Sequence, residues 1–132
     1  MDAQMDTDED RSDLNGTTRH IIGCAYRVAN QLGAGFLEKV YENALVYELG
    51  QTGLHVRQQY PVEVRYGTLT VGVYVADIVV ADQVLVELKA VRAIEEAHVA
   101  QCVNYLKATG LRLGLLINSG TSRIQIKRVI QG

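Results

Sequence analysis

The chain lacks most features that would mark out a function at once. Among its 132 residues there is no tryptophan, one proline, one phenylalanine and two cysteines. The cysteines, Cys24 and Cys102, are far apart and have no metal-ligand spacing. They read as reduced, buried thiols of a cytoplasmic protein. No apolar run approaches the roughly 18 residues that a membrane span needs. The N-terminus is acidic, so neither a secretory signal nor a transit peptide is expected. No internal repeat and no interdomain linker is found. What remains is the length and composition of a single soluble domain with its own packed core.

A strong net charge is missing too, but the value of −2 averages two unlike regions. Residues 1–13 hold six acids and Arg11 as the one base. Without them, 12 of the 13 Lys and Arg face 9 of the 15 Asp and Glu, a balance of +3. Residues 1–16 are expected to be a disordered acidic tail and residues 17–132 the folded domain. A mildly basic domain permits a nucleic-acid partner without demanding one.

Apolar spacing predicts helices over residues 17–32 and 37–49, with Thr17 or Thr18 as a cap and Gly33-Ala34-Gly35 as a stop. Three strands are predicted at 62–66, 69–80 and 84–88, the first following Pro61 and the last two joined by a tight turn. A third helix is predicted over 94–108, then strands at 113–117 and 124–130. The order ααβββαββ describes a mixed α/β (α+β) domain, a mixed sheet flanked by helices. The segment between the third and fourth strands is long enough for a crossover.

The chemistry-bearing residues stand out against this apolar background. In VLVELKA, strand alternation sends Val84, Val86 and Leu88 to one face and Leu85, Glu87 and Lys89 to the other. Asp77 interrupts the apolar run VYVADIVV on the preceding strand, where aspartate is a poor strand former. Alternation places it with Val75 and Val79, opposite to Ala76 and Ile78. The tight hairpin lets Asp77 and Glu87 lie across from each other. Two adjacent carboxylates repel unless protonated or bridged by a cation, and Mg²⁺ or Mn²⁺ suits such oxygen ligands. Alone, this pattern fits a buried acid–lysine ion pair as well as an active site. The third helix adds to it. At 100° per residue, His98, Gln101 and Tyr105 fall within about 60° of one another. They border the apolar stripe of Val99, Cys102, Val103 and Leu106. Glu38, in the first turn of the second helix, has Tyr41 one turn on; alone, it reads as a complement to the helix dipole.

GFLEKVY, residues 35–41, carries the pattern Gly-x-x-Glu-x-x-Tyr, and with YVADIVV, VLVELKAV, HVAQCVNYLKATG and LGLLINSG it resembles the GxxExxY proteins. These are a family of the PD-(D/E)XK nuclease superfamily, and the resemblance runs from about residue 21 to 129. It implies a restriction-endonuclease-like core of helix, three strands, helix and strand within residues 17–132. It implies metal-binding roles for Asp77, Glu87 and Glu38, and a role for Lys89 in placing the attacking water. Gln101 and Tyr105 resemble the Gln-x-x-x-Tyr motif of the RecB-like branch. His98 also falls where the family often carries histidine. The family's proline is Ala76 here; where members often carry Arg and Phe, this chain has Val75 and Ser119.

The resulting expectation is a cytoplasmic, Mg²⁺-dependent (or Mn²⁺-dependent) DNA hydrolase, active in repair or defence. Asp77, Glu87, Lys89, Gln101 and Tyr105 would be catalytic. Arg92, Lys107, Arg65 and Arg27 are candidates for the nucleic-acid backbone, and Tyr26, Tyr60, Tyr66 and Tyr74 for base stacking. A homodimer is in keeping with one short domain. The alternatives are a nucleic-acid-binding module that does not cut unaided and a Holliday-junction-resolvase-like endonuclease.

Overall fold

The computed structural model describes residues 8–131, with side chains from Asp13 onward. Eight elements follow in the expected order: α1 (Asp8–Leu32), α2 (Glu38–Gln51), β1 (Val56–Tyr66), β2 (Leu69–Val80), β3 (Val84–Lys89), α3 (Glu96–Thr109), β4 (Leu113–Asn118) and β5 (Gln125–Ile130). The strands form one sheet in the order β1-β2-β3-β4-β5. Neighbours are antiparallel except β3 and β4, which are parallel and joined by α3 as the crossover. This is the restriction-endonuclease-like arrangement expected.

Helix α1 starts well before residue 17. Its backbone is helical from Asp8. Thr18 is therefore not a cap. It is fully buried and its hydroxyl donates to the Leu14 carbonyl at 2.8 Å, a helix-interior bond, while Leu14 packs on the core. The tail expected over residues 1–16 overlaps this helix; residues 1–7 lie outside the described residues. Gly33 ends α1 in the left-handed conformation, φ 73°, and its N–H caps the Ala29 carbonyl at 2.9 Å.

Strands β3 and β4 are buried along nearly their whole length, as central strands covered on both faces must be. One core lies between the sheet and α1 with α2. It holds Ile21, Cys24, Ala25 and Val28 of α1, Tyr41, Leu45 and Leu49 of α2, and Val84, Val86 and Leu88 of β3. The other lies under α3 and holds Leu85, Cys102, Tyr105, Leu106 and Leu116. Helical spacing predicts Val40, Ala44, Leu45 and Leu49 as the core stripe of α2; Val40 is instead 38% exposed, and Tyr41 takes its place in the core.

Strand β1 begins at Val56, earlier than expected, and contains Pro61. It is an edge strand, so a missing N–H is tolerated. Strict alternation fails in both strands of the β1–β2 hairpin at one level. Ile78 and Val80 belong to the α1–α2 core, whereas Ala76 belongs to the α3 core. In β1, Val56 packs on the first core and Tyr60 and Val62 on the second. Between them Gln59 has a left-handed φ of 55°. The register on either side pairs Gln58 with Ile78 and Tyr60 with Ala76, so Gln59 sits level with Asp77. The hairpin thus rolls over at Asp77, and the expected grouping of Ala76 with Ile78 on one face does not hold.

Candidate active site

The β2–β3 ladder ends one residue short of the acids. Its last pair before them is Ile78 with Val86, so Asp77 and Glu87 occupy the next, unpaired rung. Their carboxylates fill the gap. Glu87 Oε2 accepts the Asp77 N–H and Asp77 Oδ2 accepts the Leu88 N–H, both at 2.8 Å. Side-chain oxygens thereby replace ladder carbonyls at the point where the strands part. Among the described residues, nothing donates a hydrogen bond to the second oxygen of either group.

Burial pushes the Glu87 carboxyl up to about 7, with the nearby Asp77 charge adding to the rise; the Asp77 N–H and Lys89 act against it. Burial likewise raises Asp77, and Glu42 and Glu38 raise it further. Two carboxylates that resist ionising together, with free oxygens, are the donor chemistry a hard cation satisfies. Among the described residues no three His, Cys, Asp or Glu side chains form a metal cage by themselves. Glu38, expected as the third ligand, places Oε2 3.3 Å from the Ala90 N–H. A Mg²⁺ ion is nonetheless well served by two carboxylates, since it retains several waters. Asp77 and Glu87 would hold it.

Lys89 projects to the α3 side, as alternation predicts, and its Nζ lies 3.5 Å from Gln101 Oε1, a long contact. Tyr105, one turn further along α3, is 7% exposed; burial and the Glu87 charge raise its phenol. Gln101 and Tyr105 are therefore brought to the acid–lysine strand. His98 is not. Its Nδ1 accepts the Glu95 N–H at 2.9 Å, closing the N-terminus of α3 in a capping box.

One acid was missed by the sequence reading. Glu42 is 3% exposed, raises both Asp77 and Glu87, and accepts from Gln58 (2.6 Å), Gln59 (2.8 Å) and Lys39 (3.1 Å). Its spacing of one turn from Glu38 was the available signal. Tyr41, the tyrosine of the Gly-x-x-Glu-x-x-Tyr pattern, has a supporting role. Its hydroxyl donates to the Gly33 carbonyl and accepts the Phe36 N–H at 3.3 Å, fixing the loop that presents Glu38. Ser119 donates its N–H to the Lys89 carbonyl at 2.8 Å. The next residue, Gly120, lies so close to Ala90 and Val91 that a Cβ there would strike their main chain.

The basic candidates separate. Arg65 and Lys107 line one groove between the β1–β2 hairpin and α3. Arg92 is exposed on the segment after β3. Arg27 does not join them: it lies on α1, paired with Glu48 of α2 at 3.0 Å.

A mixed sheet thus stands between helices, with two carboxylates and a lysine where its strands part. Residues 15–129 match the PD-(D/E)XK nuclease superfamily, and the chain belongs to it. Nucleases of this superfamily act on nucleic acids and generally use divalent metal ions. Among solved structures, the chain is similar to an alkaline exonuclease from Laribacter hongkongensis, at 13% identity, TM-score 0.49, covering 88% of this chain and 83% of that one. Comparison with curated proteins yields no match. Among the described residues no helix is long and apolar enough to cross a membrane.

Proposed function

We propose that this protein is a cytoplasmic, Mg²⁺- or Mn²⁺-dependent deoxyribonuclease of the GxxExxY family, within the RecB-like branch. The observation that carries this reading is the buried Asp77–Glu87 pair at the parting of β2 and β3, with Lys89 on the same strand. Asp77 and Glu87 would hold a divalent ion, which when bound would supply a lowered pKa for water and neutralisation of charge on a phosphate. The chain's own groups do the rest. The Asp77 and Leu88 amides each hold one carboxylate oxygen, which leaves the other free for the ion. Lys89 offers three N–H donors to an attacking water or a phosphate oxygen, and Gln101 steadies its ammonium. Tyr105 presents a protonated hydroxyl beside Glu87.

The test is incubation with single-stranded, duplex and four-way DNA and with RNA, under Mg²⁺, Mn²⁺ or EDTA. Metal-dependent cleavage of DNA is expected. Glu87→Gln and Lys89→Ala should each lower the rate by about 10³-fold or more while the circular dichroism spectrum stays unchanged. Full activity in both variants would falsify the assignment. Glu38, engaged with the Ala90 N–H, favours one second reading: a nucleic-acid-binding module that does not cut unaided. Binding without cleavage across the whole panel is its signature. Homodimerisation belongs to the main reading and rests on the exposed row of Leu69, Val71, Val73 and Val75 on β2. Sedimentation velocity should then give twice the 14.5 kDa chain mass.

A further inference from the structure

The groove between the β1–β2 hairpin and α3 has a volume of about 780 Å³. Two of its lining residues, Gln101 and Tyr105, also belong to the acid–lysine site, so the groove leads directly to it. Its hairpin wall carries Tyr74 and Arg65, and its helix wall carries Asn104 and Lys107. Tyr74 is 53% exposed, and its ring leans on Tyr105 at 5.8 Å between centroids, tilted by 41°. Tyr105 thus braces one side of Tyr74 from the core and leaves aromatic surface open to the groove.

The two cations are available. Lys107 makes no ion pair among the described residues. Arg65 is held by Glu63 at 3.6 Å and by the Thr68 carbonyl at 3.4 Å, contacts at an exposed surface that a phosphate would readily replace. Both Arg65 and Lys107 also line the neighbouring concavity beside Tyr60–Glu63, so positive charge continues outward along one path.

We propose that this groove is a subsite for a single-stranded polynucleotide segment running away from the cleavage site. Tyr74 stacks a base, Arg65 and Lys107 each take a phosphate, and the Asn104 amide faces the strand. The proposal rests on the nuclease reading and deepens it by naming the substrate's form. Three features select a single strand. A volume near 780 Å³ is the scale of one small ligand, enough for about one or two nucleotides. Stacking needs an unpaired base face, which a duplex hides. A charged path with an aromatic platform is also the recurring design for holding one strand without reading its sequence.

The experiment is fluorescence anisotropy in EDTA with a ten-nucleotide oligothymidylate, a ten-nucleotide oligouridylate and a blunt duplex. Binding is thereby measured apart from cleavage. At least one single strand should bind more tightly than the duplex. The double variant Arg65→Ala/Lys107→Ala should weaken that binding at least tenfold. It should also reduce the slope of log affinity against log salt by about 1.4, for two phosphate contacts at about 0.7 each. Tyr74→Ala should weaken binding about tenfold, while Tyr74→Phe keeps it. Arg27→Ala, on the α1 side, should change nothing. Duplex preference, no binding by the wild type, or an unchanged affinity and salt slope in the double variant would each overturn the proposal. If the wild type binds as described but cleaves nothing in the metal panel, the subsite stands and the nuclease reading falls.

Discussion

Glu87 serves the fold and the site with the same carboxylate. One oxygen completes the hydrogen bonding of a strand that has lost its ladder partner, and burial keeps the group near 7 rather than 4.5. The folded chain therefore holds this proton more tightly than the unfolded chain does. In the absence of metal, the stability this proton provides is fully present below about pH 4.5. It is lost as pH rises through 7, by a few kcal/mol at most. We expect the melting temperature in EDTA to fall between pH 5 and pH 8, and the fall to be much smaller in Glu87→Gln. Added Mn²⁺ should recover stability at pH 8 in the wild type but not in Asp77→Ala. An unchanged pH dependence in Glu87→Gln would transfer the effect to another group. Burial dominates at Cys102 as well: its thiol is pushed up to about 12, mainly by burial and secondarily by Glu87, so it is inert at neutral pH.

Each element delivers its residue through a local device. Helix α3 begins at Glu96 because Glu95 and His98 close its first turn, and that start places Gln101 and Tyr105 over Lys89 and Glu87. His98→Ala should therefore lower stability by about 1 kcal/mol and leave the cleavage rate per folded molecule nearly intact. A loss of rate of a hundredfold or more in soluble, folded His98→Ala would instead give the imidazole a chemical role. The elements were largely legible in the sequence. Glycines at 33 and 110 stop helices, alternation in VLVELK separates the core from Glu87 and Lys89, and the stripe of Cys102 and Leu106 locates the sheet side of α3. The illegible parts have physical causes. Period-two reasoning cannot foresee a strand that rolls over at a left-handed glutamine, so the faces of Ala76 and Ile78 were misgrouped. Glu42 escaped because a buried helix glutamate looks like a surface one until Gln58 and Gln59, from another element, are known to cover it. The early start of α1 was hidden by acidity, which suits a solvated tail and a helix N-terminus equally well.

On the scale of the whole molecule, the sheet has two parts. Central β3 and β4 are buried on both sides, whereas the β1–β2 hairpin beyond Asp77 is paired only with itself and exposes Tyr66, Leu69, Val71 and Val73. Hydrogen exchange should grade accordingly. Amides of 84–88 and 113–117 should exchange only with global unfolding, and those of 64–72 should exchange through local opening several orders of magnitude faster. Equal protection across both regions would contradict this division. The groove lies between the looser hairpin and the firmer helix, so a strand entering it meets one wall able to yield and one that is fixed.

The two carboxylate–amide bonds at the parting of β2 and β3 bear on descent as well as on mechanism. A lineage that no longer needed to cut could not discard these acids freely. Replacing either by an apolar residue strands a buried N–H, which costs about 1–3 kcal/mol, a large share of a small domain's margin. Asn and Gln can keep the bond, because a carboxamide oxygen still accepts it. Decay of activity would then be recorded first at Lys89 and Gln101, whose loss leaves the strands joined. Asp77 and Glu87 would persist in proteins that had ceased to be enzymes, or survive there only as their amides.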